Sequence, residues 1–161
     1  RRLAAVAPCY AVAGNHELRF GRTGEYARLL ERAGVRVLRD GWTLLEREGE
    51  TLTLYGMERK RPRPLPASCP RPVIALAHQP QWLYLYEAAG WDLVISGHAH
   101  GGQVRLIGQG LYAPGQGMLP PFTSGLYRRG NTQMAVSRGL GNSTFSLRFG
   151  NRLHLPVLVL G

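Results

Sequence analysis

Three short apolar runs in this chain each end in a turn that carries histidine, and that repetition narrows the folds it can adopt. Cys9–Ala13 leads into Gly14-Asn15-His16-Glu17, Val73–Ala77 into His78-Gln79-Pro80, and Leu93–Ile95 through Ser96 into Gly97-His98-Ala99-His100. Four of the five histidines lie in these turns. Short hydrophobic runs of this kind read as buried strands. Parallel strands bring their C-terminal ends to one edge of a sheet, so this pattern gathers imidazoles along that edge. Nitrogen donors collected there are what a metal site on an α/β scaffold requires.

The order Asn-His, His, His-x-His resembles the second half of the calcineurin-like metallophosphoesterase signature, which runs D-x-H, G-D, G-N-H-[DE], H, G-H-x-H. Gly101-Gly102-Gln103 after the last histidine, and Ser137-Arg138-Gly139-Leu140-Gly141 further on, make the chain similar to the bacterial membrane-associated phosphodiesterase branch, from about Cys9 to Val159. The resemblance implies an α/β fold, the calcineurin-like α/β/β/α sandwich. It also implies a metal-dependent hydrolase of phosphoric ester or pyrophosphate bonds, with two divalent ions (Mn, Zn, Fe or Ni) in the complete family enzyme. Asn15, His78 and His98 match ligands of the second metal, and His100 a ligand of the first. His16 matches the family's catalytic histidine, placed to stabilise charge on the phosphoryl oxygens or to protonate the leaving group. Glu17 is expected beside it, orienting the ring. Gln103 and Arg138 fall, by resemblance, in loops bordering the metal edge, where Arg138 could pair with a phosphate oxygen and a surface or packing role serves at least as well.

The opening blocks of the signature are absent. Residues Arg1 to Gly14 contain no Asp, Glu or His, and the only aspartates, Asp40 and Asp92, lie downstream in other contexts. Residues 1–161 therefore read as the C-terminal part of a single metallophosphoesterase domain, with the N-terminal strands and their motifs missing. All four candidate ligands are neutral. Without a bridging carboxylate, Mg²⁺ or Mn²⁺ should bind poorly, and an imidazole-favouring ion such as Zn²⁺ or Ni²⁺ should be retained better. The expectation is partial metal occupancy, and weak or no activity from this chain alone.

The formal net charge of +10 invites a nucleic-acid or membrane reading. Lys60 is the only lysine, however, and the arginines are spread along the chain, so there is no specific nucleic-acid signal. The dense cluster Arg59-Lys60-Arg61-Pro62-Arg63 opens a basic, proline-rich loop over 59–72, whose prolines forbid helix. A solvated loop is the plain reading; peripheral contact with an anionic membrane is the functional one. Two other readings stay open: a non-catalytic basic module binding anionic lipid or nucleic acid, and a natural truncated metal-binding remnant. No run is long and apolar enough to span a bilayer, which fits a cytoplasmic location or one peripheral to the bacterial membrane. The expected partner is a phosphoester substrate, with lipid-linked esters in range.

Elsewhere the periodicity predicts a helix over Gly24–Ala33, a strand at Val35–Leu38, and a hairpin of Trp42–Glu48 and Thr51–Tyr55 about Gly49. A second helix is predicted over Gln81–Ala89, and further short strands at Val104–Ile107, Gln133–Ser137, Phe145–Phe149 and Val157–Leu160. Strands alternating with helices, then a β-rich end, suit two packed sheets with helices outside.

Overall fold

A computed structural model describes residues 2–58, 61–142 and 148–160. In chain order the elements are β1 (Cys9–Ala11), α1 (Asn15–Arg19), α2 (Thr23–Arg32), β2 (Val35–Val37), β3 (Gly41–Arg47), β4 (Glu50–Met57), β5 (Val73–Ala77), α3 (Leu83–Ala88) and β6 (Leu93–Ser96). Short strands follow at β7 (Arg105–Leu106), β8 (Gln109–Gly110), β9 (Tyr112–Ala113) and β10 (Gly117–Met118). Two longer ones, β11 (Gly125–Arg129) and β12 (Thr132–Val136), complete the set.

Six strands form the main sheet in the order β11-β12-β6-β5-β4-β3. The four inner ones, β12, β6, β5 and β4, run parallel, and an antiparallel strand closes each edge. The inner strands are apolar because both faces are covered. On one face α3 brings Leu83 and Tyr86 onto Tyr55, Val73, Ala75, Val94 and Met134, with Tyr86 stacked on Trp91 at 5.3 Å. On the other face Tyr10 and Val12 pack on Leu54 and Ile74. Those two residues belong to the segment of β1, which pairs in parallel with β2 as a second, two-stranded sheet. Helix α2 packs on β2, and Tyr26 Oη donates to the Val12 carbonyl at 3.5 Å. The layers are thus α3, main sheet, β1–β2, α2: the sandwich expected from the sequence, with a small second sheet.

The two sheets approach closely at Gly56 on β4. A Cβ there would lie 2.1 Å from the Leu38 Cβ and 3.0 Å from the Val12 Cγ1. At the far end of the sheet, Asp92 accepts from the Val73 N–H at 2.6 Å and pairs with Arg71, tying β5 to the start of β6.

Several boundaries differ from the sequence reading. Gln79-Pro80 opens a single 3₁₀ turn, Pro80–Trp82, before α3 begins; Pro80 suits that first position, where an N–H would have no intrahelical acceptor. Val157–Leu160 forms no strand: Val157 and Val159 are 86% and 92% exposed and pair with nothing among the described residues. The predicted strand Phe145–Phe149 falls largely outside the described residues, as do Arg59 and Lys60 of the basic loop. Phe149 itself forms a parallel bridge to Val104. Among the described residues no helix is long and apolar enough to cross a membrane.

Candidate metal centre

The parallel register sets the site. Met57 lies opposite Ala77, Leu76 opposite Ile95, and Val136 opposite Ser96, so β4, β5, β6 and β12 all end along one edge. Past those ends stand Glu58, His78, Gly97-His98 and Ser137-Arg138. The turn after β1 delivers Asn15 and His16 to the same edge from the second sheet.

There, three side-chain atoms converge. Asn15 Oδ1 lies 2.8 Å from His78 Nε2 and 3.1 Å from His98 Nδ1, and those two ring nitrogens are 3.1 Å apart. Ligands at about 2.0–2.2 Å from one ion stand about 2.8–3.1 Å apart when they are cis at right angles, so the spacing fits a shared cation. Two imidazole nitrogens at this separation also need a proton or cation between their lone pairs. Among the described residues no three His, Cys, Asp or Glu side chains form such a group; the amide of Asn15 supplies the third donor here.

The electrostatics keep the imidazoles neutral. Burial, followed by the charges of His98, His100 and His16, pushes His78 down to about 4. His98, 8% exposed, is lowered by burial and by His100, against a hydrogen bond to the Pro114 carbonyl. His100 is lowered by burial and by Arg148, against a hydrogen bond to the Gly141 carbonyl. Neutral rings with one N–H anchored on a carbonyl present the other nitrogen as a ligand in a fixed tautomer. His100 belongs to this electrostatic group, and among the described residues no hydrogen bond joins it to the three converging atoms.

Backbone conformation holds the last turn in place. His98, His100 and Gln103 all take positive φ, at 63°, 46° and 58°, and Gly101 lies between them at 66°. Non-glycine residues in this region cost of order 1–3 kcal/mol each and persist only where surroundings enforce them. Asn151 is what enforces it: 5% exposed, its Nδ2 donates to the His100 carbonyl at 2.7 Å and to the Gln103 carbonyl at 3.0 Å. Sequence reasoning missed Asn151, which lies some fifty residues from the turn it fastens and carries no motif.

Two carboxylates border the site, and both are engaged. Glu17 does not orient His16; its Oε2 accepts the Gly14 backbone N–H at 2.9 Å and caps α1. A glutamate three residues past the N-cap makes the reach-back half of a capping box, which Gly14 has no side chain to complete, so helix initiation claims it. Glu58 shares a small cavity with Asn15 and His78, but Arg39 holds it at 2.9 Å and 3.3 Å. The three converging donors, Asn15, His78 and His98, are thus all uncharged groups. His16 is exposed on the first turn of α1, with Phe20 one turn on at 6.4 Å between ring centroids.

Residues 1–102 match the family model described as Calcineurin-like phosphoesterase. The chain is 31% identical over 168 residues to Phosphodiesterase YaeI of Escherichia coli (strain K12), covering 98% of this chain and 60% of that protein. It is 35% identical over 88 residues to the uncharacterized metallophosphoesterase YkuE of Bacillus subtilis (strain 168), covering 54% of this chain and 30% of that protein. Similarity at 28% over 174 residues extends to a transmembrane protein with metallophosphoesterase domain from Bos taurus, covering 94% of this chain and 38% of that protein. The chain thus spans 60% of the length of the first of these relatives and less of the others. No solved structure matches it.

Proposed function

The chain belongs to the calcineurin-like phosphoesterase family, and on that premise we propose that it carries one side of the active site of a metal-dependent hydrolase of phosphodiester or pyrophosphate bonds. The family implies divalent metal ions. Asn15, His78 and His98 would hold one ion, and His100 would contribute to a second. What supports this is the convergence of one amide oxygen and two ring nitrogens within 2.8–3.1 Å of one another. When bound, such ions supply Lewis-acid polarisation and orientation of the phosphoryl group.

The chain's own residues do the rest. Capping by Glu17 fixes the start of α1, and with it the exposed His16 next to the ligand Asn15. From there His16 stabilises charge on the phosphoryl oxygens when protonated, or gives a proton to the leaving oxygen. Lipid-linked esters are the substrate class in view, with Arg61 and Arg63, both exposed in the proline-rich loop, as the contact with anionic headgroups.

The test is metal content and hydrolysis in the full-length protein. His78→Ala and His98→Ala should each lower metal stoichiometry. His16→Asn should keep it, yet slow hydrolysis of an ester with a poor leaving group roughly 10²–10⁴-fold. A nitrophenyl ester should suffer less if proton donation is the role. Unchanged metal in both alanine variants would refute the ligand assignment.

A further inference from the structure

From Leu93 onward the chain contains six arginines and no Asp or Glu. Arg129 finds Glu87 of α3 at 2.7 Å, and Arg128 donates to the Gly130 carbonyl. Three others gather beside His100 and Gly101. Arg105 Nη1 donates to the Gly101 carbonyl at 2.7 Å and to Thr123 Oγ1 at 3.0 Å. The stem of Arg138 lies on Gly101, where a Cβ would be 2.9 Å from its Cγ. Arg148 donates to the carbonyls of Arg138 and Gly139 at 2.5 Å and 3.3 Å.

These three guanidinium groups differ in what occupies them. Arg105 and Arg148 donate through their Nη groups to backbone carbonyls, Arg105 also to Thr123 Oγ1, and so act as struts, although the Arg148 Nε is itself buried without a partner. Arg138 makes no side-chain hydrogen bond or ion pair among the described residues, and its Nε is buried without a partner. Yet its backbone is pinned on every side. Its N–H donates to His154 Nδ1 at 3.3 Å, Ser137 Oγ donates to the His154 carbonyl at 3.0 Å, and the Gly139 N–H donates to Ser137 Oγ at 3.0 Å. The register places this loop at the site, because Val136 lies opposite Ser96 and the Ser137 N–H donates to the Ser96 carbonyl at 2.9 Å. Arg138 therefore leaves β12 beside the turn in which His98 leaves β6.

Like charges collected without a carboxylate oppose one another. Arg105 and Arg148 are both pushed down, by burial first and then by the charge of Arg138. Arg138 is half-buried, and an oxyanion bound at its Nη groups would relieve that repulsion, since guanidinium N–H groups match phosphoryl oxygens.

We propose that Arg138, held by the struts Arg105 and Arg148, binds a phosphoryl oxyanion beside His98 and His100. The assignment of that anion to the substrate rests on the phosphoesterase reading above. The oxyanion belongs either to the phosphate under attack or to a second phosphoryl group joined to it.

The experiment uses the full-length, metal-loaded protein with inorganic phosphate as the probe, followed by titration calorimetry. Arg138→Gln should weaken phosphate binding about 10- to 100-fold, the scale of a lost charge-assisted hydrogen bond. Metal content and thermal midpoint should stay close to wild type. Arg138→Lys, which keeps the charge but not the fork, should fall between, and it serves as the test if the glutamine variant fails to fold. Equal phosphate affinity in wild type and the variants would overturn the proposal. Kinetics then separate the two sources. A rise in KM for both bis(p-nitrophenyl) phosphate and a pyrophosphate diester assigns Arg138 to the phosphate under attack; a rise for the pyrophosphate diester alone assigns it to the second phosphoryl group. If wild type binds phosphate through Arg138 but hydrolyses neither ester, the anion site stands and the phosphoesterase reading falls.

Discussion

Asn151 offers the sharpest test of how the histidine turn is held. Its Nδ2 bridges the carbonyls of His100 and Gln103 at 2.7 Å and 3.0 Å, while its Oδ1 is buried with no partner. Replacing it by alanine removes two hydrogen bonds, worth about 1 kcal/mol each, and strands two carbonyls whose desolvation adds about 1–2 kcal/mol. Asn151→Ala should therefore cost about 3–4 kcal/mol. Asn151→Asp has nearly the same shape but turns the donor into an acceptor, facing two carbonyls with an unpaired buried charge. Its cost should be larger, about 3–5 kcal/mol. Urea unfolding of the full-length protein, with metal content measured alongside, reads both effects. The positive-φ turn should relax in each variant and release metal. The reasoning fails if the aspartate variant is as stable as wild type, or if the alanine variant lies within roughly 0.5 kcal/mol of it.

Two glycines with nearly equal φ separate strain from packing. Gly21, at 65°, has nothing within 4 Å of a Cβ, whereas Gly101, at 66°, would place one 2.3 Å from Asn151 Oδ1. Gly21→Ala should cost about 1 kcal/mol and Gly101→Ala at least about 2 kcal/mol more by calorimetry; equal losses would show that the site packing contributes nothing. For pH, burial and neighbouring histidines hold His78 at about 4 in the folded protein, against 6.5 when unfolded. Stability from this residue is full above the unfolded value and is lost as pH falls from about 6.5 toward 4, up to about 3 kcal/mol in metal-free protein. Denaturant midpoints of wild type and His78→Gln should converge across that window, and a pH-independent gap would contradict the shift.

Elements that bury two faces were legible in the sequence. Val73–Ala77 and Leu93–Ser96 are near-continuous apolar runs, and their turns bring His78 and His98 together because adjacent parallel strands end together. Asn15 joins them from another sheet, which the motif order suggested and strand periodicity alone could not. Edge strand β11 went unseen because Gly-Leu-Tyr-Arg-Arg is mostly exposed and carries no clear alternation. Helix α1 was hidden for a related reason: its five residues, none of them buried, leave no apolar stripe, and only the Glu17 cap announces it. Conversely, the apolar Val157–Leu160 reads as a strand, yet strand structure needs a pairing partner and this segment finds none among the described residues. Residues that act through distant contacts, Asn151 above all, leave no local trace.

The close approach of the two sheets at Gly56 has a consequence for the choice of ion. His78 and His98 hang from one layer and Asn15 from the other, three residues beyond Val12. Val12 rests on the spot where a Gly56 Cβ would intrude at 3.0 Å. The gap between the layers therefore acts as a caliper whose jaws are an amide and two imidazoles. Its setting is decided in an apolar seam that itself contributes no ligand atom. A methyl group at Gly56 would act as a shim, opening the jaws without touching a donor and shifting preference toward cations of larger radius. Under the proposed ligand assignment, the radius of the ion accepted would thus depend partly on the hydrophobic thickness between the layers.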